Sequence, residues 1–321
     1  MSAPTQAATP LAPGAAAPRS GRRSGRRSGP RRGSLTHPAR TGLLLVAPAV
    51  LFVVVFVFTP LVLAVGMSFT NFPLIGPFHW IGFENFASVL TDPTFWGAVG
   101  YTVLYTAIVT GPILVLGCAL AVLVRANRRG STFLRTMIFL PYVIGLTTLS
   151  FLTVLETQPN SGMVNVVLKA LGLSDGTTAW LVSGPLGTII LCALVIWAVP
   201  GLTMVLIMSG MQGIPRELYE SAEIDGATWW QRERLITIPM LRRTIAMVLI
   251  ISVIGSFLAF TQFYILTAGG PGSSTTPVVL AIYRRAFVQL QLGYATAMSV
   301  VLVIITGLVT AAQFWLLREK D

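Results

Sequence analysis

The chain has 321 residues, of which 54% are apolar and only 10% charged, with a formal net charge of +11 and a mean hydropathy of +0.77. A typical soluble domain carries about 25% charged residues, so this chain has too little polar surface to cover a water-soluble core. The composition excludes an ordinary soluble globular protein and indicates an integral membrane protein.

Residues 1–40 form a separate unit that includes the low-complexity run SGRRSGRRSGPRRGS at 20–34. This composition cannot build a packed core, so we predict a disordered basic cytoplasmic tail, with its arginines at anionic lipid headgroups. A nucleic-acid arm is a less favoured alternative. A cleaved signal peptide is another, but the apolar run that follows is longer than the roughly 7–15 residues of a signal sequence.

Six apolar segments follow the tail, each long enough for the roughly 20 residues that cross a bilayer core of about 30 Å. They lie at about 43–69, 98–124, 133–155, 186–210, 244–267 and 295–317. None has Lys or Arg well inside it, where a charge would cost about 2.5–3.5 kcal/mol. The sequence therefore predicts an all-α transmembrane domain over residues 41–321 with six membrane-spanning helices.

Basic residues orient these helices. If the amino terminus is cytoplasmic, the tail, the 125–135 loop, the 211–243 loop and the carboxyl end lie inside and hold 19 of the Lys and Arg residues, whereas the outer loops hold 3. Basic residues concentrate on the cytoplasmic side of membrane proteins. We therefore predict a multi-pass protein with both termini in the cytoplasm.

The loop at 211–243 concentrates charge between the fourth and fifth spans. Pro215 suits the first turn of a helix, and acidic residues are favoured near the positive end that follows. We therefore predict a helix over 215–225 that Gly226 interrupts. Pro239 ends the loop and begins the next span.

One face of this predicted helix suits a protein partner. Helical spacing groups Glu220, Glu223, Ile224 and Ala227, a surface that could closely enter a basic groove. A solvated connector would have no use for Ile224 or the indoles that follow it. An amphipathic helix lying on lipid is the other alternative, but its acids would be repelled by an anionic leaflet.

The segment ESAEIDGATWWQRERLITIP, at 220–239, resembles the EAA loop of permease subunits of bacterial ATP-binding-cassette importers. The matching positions are Glu220, Ser221, Ala222, Asp225, Gly226, Ala227, Ile236, Ile238 and Pro239. Ser221 replaces an alanine of the family pattern and Ile238 a leucine. Glu233 stands where the family usually has an aromatic residue, a larger departure.

The resemblance extends over roughly residues 43–317. The segments at 81–96, 162–173, 260–287 and 292–302 are similar to the carbohydrate-type branch, which includes the maltose and glycerol-phosphate permeases. The resemblance implies a type I importer permease fold in the cell membrane of a prokaryote, that is, its inner or plasma membrane. It also implies that the translocated solute is a sugar or a sugar-like compound.

The resemblance also implies partners. These are a second permease subunit in a heterodimer, two copies of an ATPase subunit that binds ATP and Mg, and an extracytoplasmic solute-binding protein. Glu220 would interact with a basic residue in a cleft of the ATPase, and Gly226 would permit a close backbone approach and a bend between two short helices. Closure of the ATPase dimer would push this loop and switch access from outside to inside.

Nucleotide and metal chemistry find no support in the residues themselves. A Walker A loop needs G-x-x-x-x-G-K-[ST], and neither lysine of the chain, Lys169 or Lys320, stands in that pattern. The two histidines are isolated, and Cys118 and Cys192 lie in apolar segments without metal-like spacing. We therefore predict that this chain is not an enzyme and has no cofactor, metal or nucleic-acid site.

Three other functional classes remain as alternatives. An ion-coupled secondary transporter usually carries ionisable residues at membrane depth, and these spans are nearly empty of them. A membrane-embedded enzyme would need a nucleophile, base and acid, which the spans do not offer. A structural anchor would leave the specific loop without a role.

Neutral polar and aromatic side chains within the spans are candidates for lining a pathway for a hydroxyl-rich solute. They are Trp197, Thr203, Ser256, Gln262 and Tyr264. The competing interpretation is that each one satisfies a helix–helix contact.

Overall fold

A computed structural model describes residues 39–73, 76–125 and 130–317, with side chains from residue 44 onward. The predicted tail at 1–40 lies outside the described residues except for its last two positions. The chain divides into two units, 1–54 and 55–321. The first unit contains helix α1, Ala39–Val53, whose described side chains are exposed.

A π-helical turn, Val54–Phe58, starts at the last residue of the first unit, and the main elements of the second unit are all helical. The helices before the charged loop are α2 Thr59–Met67, α3 Glu84–Thr91, α4 Pro93–Arg125, α5 Ser131–Ile144, α6 Leu146–Glu156, α7 Met163–Ala170, α8 Gly184–Ala198 and α9 Pro200–Met211. Those within and after it are α10 Arg216–Ile224, α11 Trp229–Arg232, α12 Ile238–Met240, α13 Arg242–Phe257, α14 Thr261–Leu266, α15 Val278–Tyr283 and α16 Leu292–Leu317. Further π-helical turns lie at Glu233–Thr237 and Arg284–Val288.

Five helical stretches in the described residues are long and apolar enough to cross a membrane. They are Leu44–Met67, Pro93–Arg125, Gly184–Met211, Arg242–Leu266 and Leu292–Leu317. Each coincides with a predicted span to within a few residues at either end. The apolar runs of the sequence therefore coincide with helices, the structure in which a lipid-exposed segment satisfies its own backbone.

The third predicted span, 133–155, is not one straight helix. Helices α5 and α6 together meet the length and hydropathy required of a span, but they meet at an angle of 89°. Gly145 lies between them with φ +86° and ψ 146°, a conformation that a glycine adopts without the steric cost other residues meet. The prediction of one continuous helix over 133–155 was therefore wrong, because the segment is two helices that bend at Gly145.

Helix α4 holds the second unit together. It contributes buried side chains to each of three apolar clusters, through Tyr105 in the first, Phe95 in the second and Ala121 in the third. The first cluster joins α4 to α8 and α14. The second joins it to α3, α13, α15 and α16, and the third joins it to α9 and α13. Any displacement of α4 must therefore be shared with most of the helices around it, because packed interiors transmit strain.

The contact between α4 and α9 is close. A Cβ atom added at Gly117 would lie 2.2 Å from Cγ2 of Thr203, well inside the van der Waals distance. Small residues allow membrane helices to approach in this way. Large apolar side chains of the spans remain exposed, as at Val103 and Leu104 of α4.

Candidate functional site

The charged loop folds as two short helices joined at a glycine. Helix α10 begins after Pro215 and carries Glu217 in its first turn. It ends at Asp225, and Gly226 follows with φ +76°, in the left-handed region that favours glycine. The amides of Gly226 and Ala227 donate back to the carbonyl oxygens of Glu223 and Ala222, at 3.1 and 2.9 Å. The helix and the interruption at Gly226 are both as predicted.

The second helix of the loop, α11, starts with its own cap. The Thr228 hydroxyl accepts from the amide of Gln231, and the Gln231 side chain accepts from the amide of Thr228. This reciprocal pair is a capping box, which satisfies two amides that a helix start otherwise leaves unbonded. The turn between α10 and α11 is therefore defined from both sides, by Gly226 and by Thr228.

The face of α10 that the sequence grouped is open to solvent. Glu220 and Glu223 are exposed, Ala227 is half-buried, and Ile224 is 87% exposed. Ser221 and Asp225 are also exposed, whereas Ala222 is half-buried. An apolar side chain as exposed as Ile224, beside two acids, makes a surface suited to a partner.

Two ion pairs lie within the loop. Arg216 is 3.0 Å from Glu220 along α10, with both side chains well exposed. Arg232 is 3.1 Å from Glu223 and donates a hydrogen bond to it, which connects α11 to α10 across Gly226. Exposed pairs of this kind contribute about 0–1 kcal/mol. They orient the side chains more than they stabilise the fold.

Glu233 behaves differently from the other acids of the loop, because it is only 4% exposed. Its Oε1 lies 3.0 Å from Nη2 of Arg125, at the end of α4. Glu233, which stands where the family pattern usually has an aromatic residue, is thus a buried acid with a basic partner. Arg125 was missed because only the fold brings it to this loop.

The far end of the loop returns to the membrane domain. Thr237 is buried and its hydroxyl lies 2.8 Å from the Tyr219 hydroxyl. Ile238 and Pro239 follow in α12, where both are exposed. The loop therefore has buried contacts near Thr237 and exposed residues on both sides of them.

A cavity of about 1140 Å³ lies beside the loop. Its walls come mainly from α4, α5, α9 and the 229–245 segment, and they are largely apolar, as at Val122, Leu134 and Trp230. Glu233 and Thr237 are among its few polar lining residues. The carboxylate of Glu233 therefore faces surroundings that offer little alternative solvation.

The five candidate pathway residues lie apart from this loop and in different environments. Thr203 is buried against Gly117, and Ser256 is buried in α13. Gln262 is buried and donates to the Tyr105 hydroxyl at 3.3 Å. Tyr264 is half exposed and stacks on Phe260, and Trp197 is 60% exposed. Among the described residues, no hydrogen bond or aromatic contact joins one of the five to another.

A second charged cluster lies at the opposite end of α4. Asp92, the residue before Pro93, accepts from the Tyr294 hydroxyl at 2.8 Å, from Arg285 at 3.1 Å and from the amide of Thr94 at 2.8 Å. Burial raises the pKa of Asp92, but the hydrogen bonds from Tyr294 and Thr94, with the charge of Arg285, outweigh it and hold the pKa below its usual range. This cluster was also missed, since its members are far apart in sequence.

The described residues contain no group of three or more His, Cys, Asp and Glu side chains that could hold a metal ion. Both cysteines are free thiols in apolar surroundings.

Known proteins that resemble this chain are transport permeases. Residues 113–320 match the family described as binding-protein-dependent transport system inner membrane component. The chain is 35% identical over 279 residues to the multiple sugar-binding transport system permease protein MsmF of Streptococcus mutans, covering 86% of this chain and 94% of that protein. It is 32% identical over 280 residues to the sulfoquinovosyl glycerol transport system permease protein SmoG of Agrobacterium fabrum, covering 87% and 90%.

Similarity extends to an archaeal relative and to solved structures. A probable ABC transporter permease protein of Pyrococcus horikoshii is 30% identical, covering 87% of this chain and 96% of that protein. A chain in the crystal structure of a bacterial ABC transporter involved in importing the acidic polysaccharide alginate superposes with a TM-score of 0.77 at 23% identity, covering 87% and 96%. At that identity the likeness speaks to the fold alone.

Proposed function

Because this chain belongs to the family of binding-protein-dependent transport system inner membrane components, we propose that it is the permease subunit of an ATP-driven importer for a sugar or sugar-like solute. The relatives named for sugar and sulfoquinovosyl glycerol transport support this class of solute. The observation that carries the proposal is the exposed face of α10, where two acids flank Ile224 before the turn at Gly226.

The loop couples the permease to a separate ATPase subunit. Glu220 pairs with a basic residue of the ATPase cleft, and the small residues Ser221, Ala222 and Ala227 let the loop lie close to the cleft wall. Asp225 and Gly226 form the turn, and Ile238 with Pro239 joins the loop to the next span. The exposure of most of this set supports the assignment, because a docking surface must be free before its partner arrives.

The other subunits follow from the same assignment. A second permease pairs with this chain as a heterodimer, and two ATPase copies bind ATP and Mg at the cytoplasmic face. An extracytoplasmic binding protein delivers the solute, an arrangement supported by the alginate transporter, which has been crystallised with its alginate-bound periplasmic protein. The exposed apolar faces of the spans meet lipid and the second permease, and both termini lie in the cytoplasm of a prokaryote. Trp197, Thr203, Ser256, Gln262 and Tyr264 remain our candidates for the solute route.

An ion-coupled secondary transporter is the main competing class. It would move solute without an ATPase and would carry ionisable side chains at membrane depth. In this sequence, the Arg, Lys, Asp and Glu residues of the apolar stretches lie near their ends. The two classes are therefore distinguished by whether an ATPase accompanies the chain.

Purification from native membranes tests the proposal. The tagged full-length chain is solubilised in mild detergent, and its companions are identified by mass spectrometry. We expect an ATP-binding-cassette ATPase and a second multi-span permease. Isolation of the chain alone, or only with itself, from native membranes would reject the importer assignment.

Glu220→Lys tests the coupling face directly. We expect the variant to insert normally but to lose the co-purifying ATPase, because the reversed charge meets a basic cleft. The matched control is Glu156→Lys, which makes the same charge reversal on an exposed acid at the end of α6, outside the loop. Full ATPase retention by the Glu220 variant would remove this residue from the interface.

A further inference from the structure

Arg125 joins the last turn of α4 to both arms of the loop. Its Nη2 lies 3.0 Å from Oε1 of Glu233, and its Nη1 donates to the Tyr219 hydroxyl at 3.3 Å. The guanidinium carbon also lies 5.0 Å from the centre of the Tyr219 ring, within the range of a cation–π contact. The Tyr219 hydroxyl in turn contacts Thr237 at 2.8 Å. One arginine thus contacts α10 through Tyr219 and the segment after α11 through Glu233.

The acidic half of this connection is buried. The Glu233 side chain is 5% exposed, whereas Arg125 is 36% exposed. Neither carboxylate oxygen of Glu233 makes a well-aligned hydrogen bond within the described residues, so charge attraction to Arg125 holds it. A buried carboxylate that loses the basic partner it has among the described residues is strongly disfavoured. The loop therefore cannot leave Arg125 without an unfavourable charge remaining behind.

The other ion pairs described for the loop do not reach a membrane span. Arg216–Glu220 lies along α10, and Arg232–Glu223 joins the two short helices to each other. Both can follow the loop as it moves without pulling on anything else. The contacts of Arg125 are different, because their two sides belong to the loop and to the helix at the centre of the bundle.

We propose that Arg125, Glu233 and Tyr219 form the mechanical link that transmits movement of the loop to α4. The proposal rests on the function proposed above, in which an ATPase moves the loop, and it adds positioning residues that do not touch the ATPase. When the exposed face of α10 is pushed, Tyr219 on α10 and the buried Glu233 carry Arg125 with them. Because α4 packs into all three apolar clusters, its displacement re-orients the surrounding spans.

The test measures α4 against a distant helix in the intact importer complex. Gly111 in α4 and Gly307 in α16 are each replaced by an amino acid with a keto side chain, and a spin label is attached to that keto group. Because the label reacts with ketones, the native thiols of every subunit stay unlabelled. Both positions are exposed, and an added Cβ meets no atom within 4 Å at either. Interspin distances are recorded without nucleotide and after trapping with ATP and vanadate, and ATPase retention is measured on the same samples.

Three variants of the link are compared with a matched control. Glu233→Gln keeps the volume and removes the charge, Arg125→Met removes the guanidinium, and the double variant Arg125→Glu with Glu233→Arg reverses the pair. The control is Arg135→Met, since Arg135 donates to the carbonyl oxygen of Val124 at the same end of α4 rather than to the loop.

We expect the parent and the Arg135 variant to show the full ATP-dependent change in interspin distance. The two single variants should retain the ATPase but lose more than half of that change, and the reversed pair should recover most of it. A merely structural role would lower thermal stability without this pattern of loss and recovery.

Two results would overturn the link. One is a full distance change in both single variants with the ATPase bound, and the other is a reversed pair that behaves no better than the single variants. A parent complex that lacks an ATPase, or shows no ATP-dependent change, would instead reject the proposed function and this link with it.

Discussion

The two ends of α4 carry the same kind of ion pair in opposite arrangements. At the amino end the acid is Asp92, which immediately precedes α4, and the arginine comes from elsewhere as Arg285. At the carboxyl end the arginine belongs to α4, as Arg125, and the acid comes from the loop as Glu233. Both signs suit the helix dipole, which favours acids at the amino end and bases at the carboxyl end.

The difference lies in what else each carboxylate contacts. Asp92 receives hydrogen bonds from Tyr294, Arg285 and the amide of Thr94, so its charge is fully compensated and fixed in direction. Glu233 has the charge of Arg125 beside it and a largely apolar cavity around it. Asp92 links the start of α4 to the Arg284–Val288 turn through Arg285 and to α16 through Tyr294, whereas Glu233 links the loop to the end of α4 through Arg125. The contribution of an ion pair thus depends on its surroundings as well as on the distance between its charges.

Removing the arginine at the loop end should give the largest loss of stability. We expect Arg125→Met to lower the free energy of unfolding by about 3 kcal/mol, since it leaves Glu233 buried without its partner. This figure is at the lower end of the usual range because Arg125 is 36% exposed. Thermal unfolding in detergent, followed by tryptophan fluorescence, measures the change. A shift no larger than that of Arg135→Met would show that Glu233 finds other compensation.

At the opposite end, Asp92→Asn should cost less, about 2 kcal/mol at neutral pH. The amide oxygen can still accept a hydrogen bond, but the charge-assisted part of the bonds from Tyr294 and Arg285 is lost, and such bonds contribute about 1.5–3 kcal/mol. The same unfolding assay measures it. Equal stability of the variant and the parent at pH 7 would contradict the anchoring role.

The Asp92 effect should also depend on pH in a definite direction. Its pKa is lowered in the folded protein, so folding favours the charged form relative to an unfolded pKa of about 3.9. The stabilisation is complete above that value and is lost as pH falls through the folded pKa. The stability difference between parent and Asp92→Asn should therefore shrink only at acidic pH. A difference that shrinks on raising the pH from 7 would have the wrong sign.

Gly226→Ala should produce the smallest loss of stability, about 1 kcal/mol. An added Cβ meets no atom within 4 Å, so the cost comes only from φ +76°, which is unfavourable by about 1–2 kcal/mol for an L-residue. Unfolding measures this cost, and co-purification measures ATPase retention. If the ATPase approaches the backbone closely here, retention should fall more than stability does; equal retention would mean that Gly226 serves the turn alone.

Much of the fold could be predicted because lipid restricts the choices. Five spans were located from apolar runs, and the loop helix was located from Pro215, the acids after it and Gly226. The bend at Gly145 could not be predicted, because a single glycine in an apolar run is common in membrane helices. Only the packing around it determines whether the helix continues.

The candidate site could be predicted in its exposed part and not in its buried part. The face with Glu220 and Ile224 follows from local spacing, which a helix converts directly into geometry. The pairing of Glu233 with Arg125 depends on how α4 ends beside the loop, and nothing local to either residue encodes it. The close approach of Thr203 to Gly117 has the same origin, since only the packing of α9 on α4 brings the two together.

The bend between α5 and α6 has a consequence for the chemistry of the membrane interior. The first amides of α6 have no carbonyl one turn earlier to receive them, and Gly145 offers no side-chain cap. Hydrocarbon cannot solvate such groups, so non-helical backbone at membrane depth lies against protein or water. The main-chain amides at the start of α6 therefore need partners from neighbouring protein or water, and this requirement would survive any change of side chain in α6.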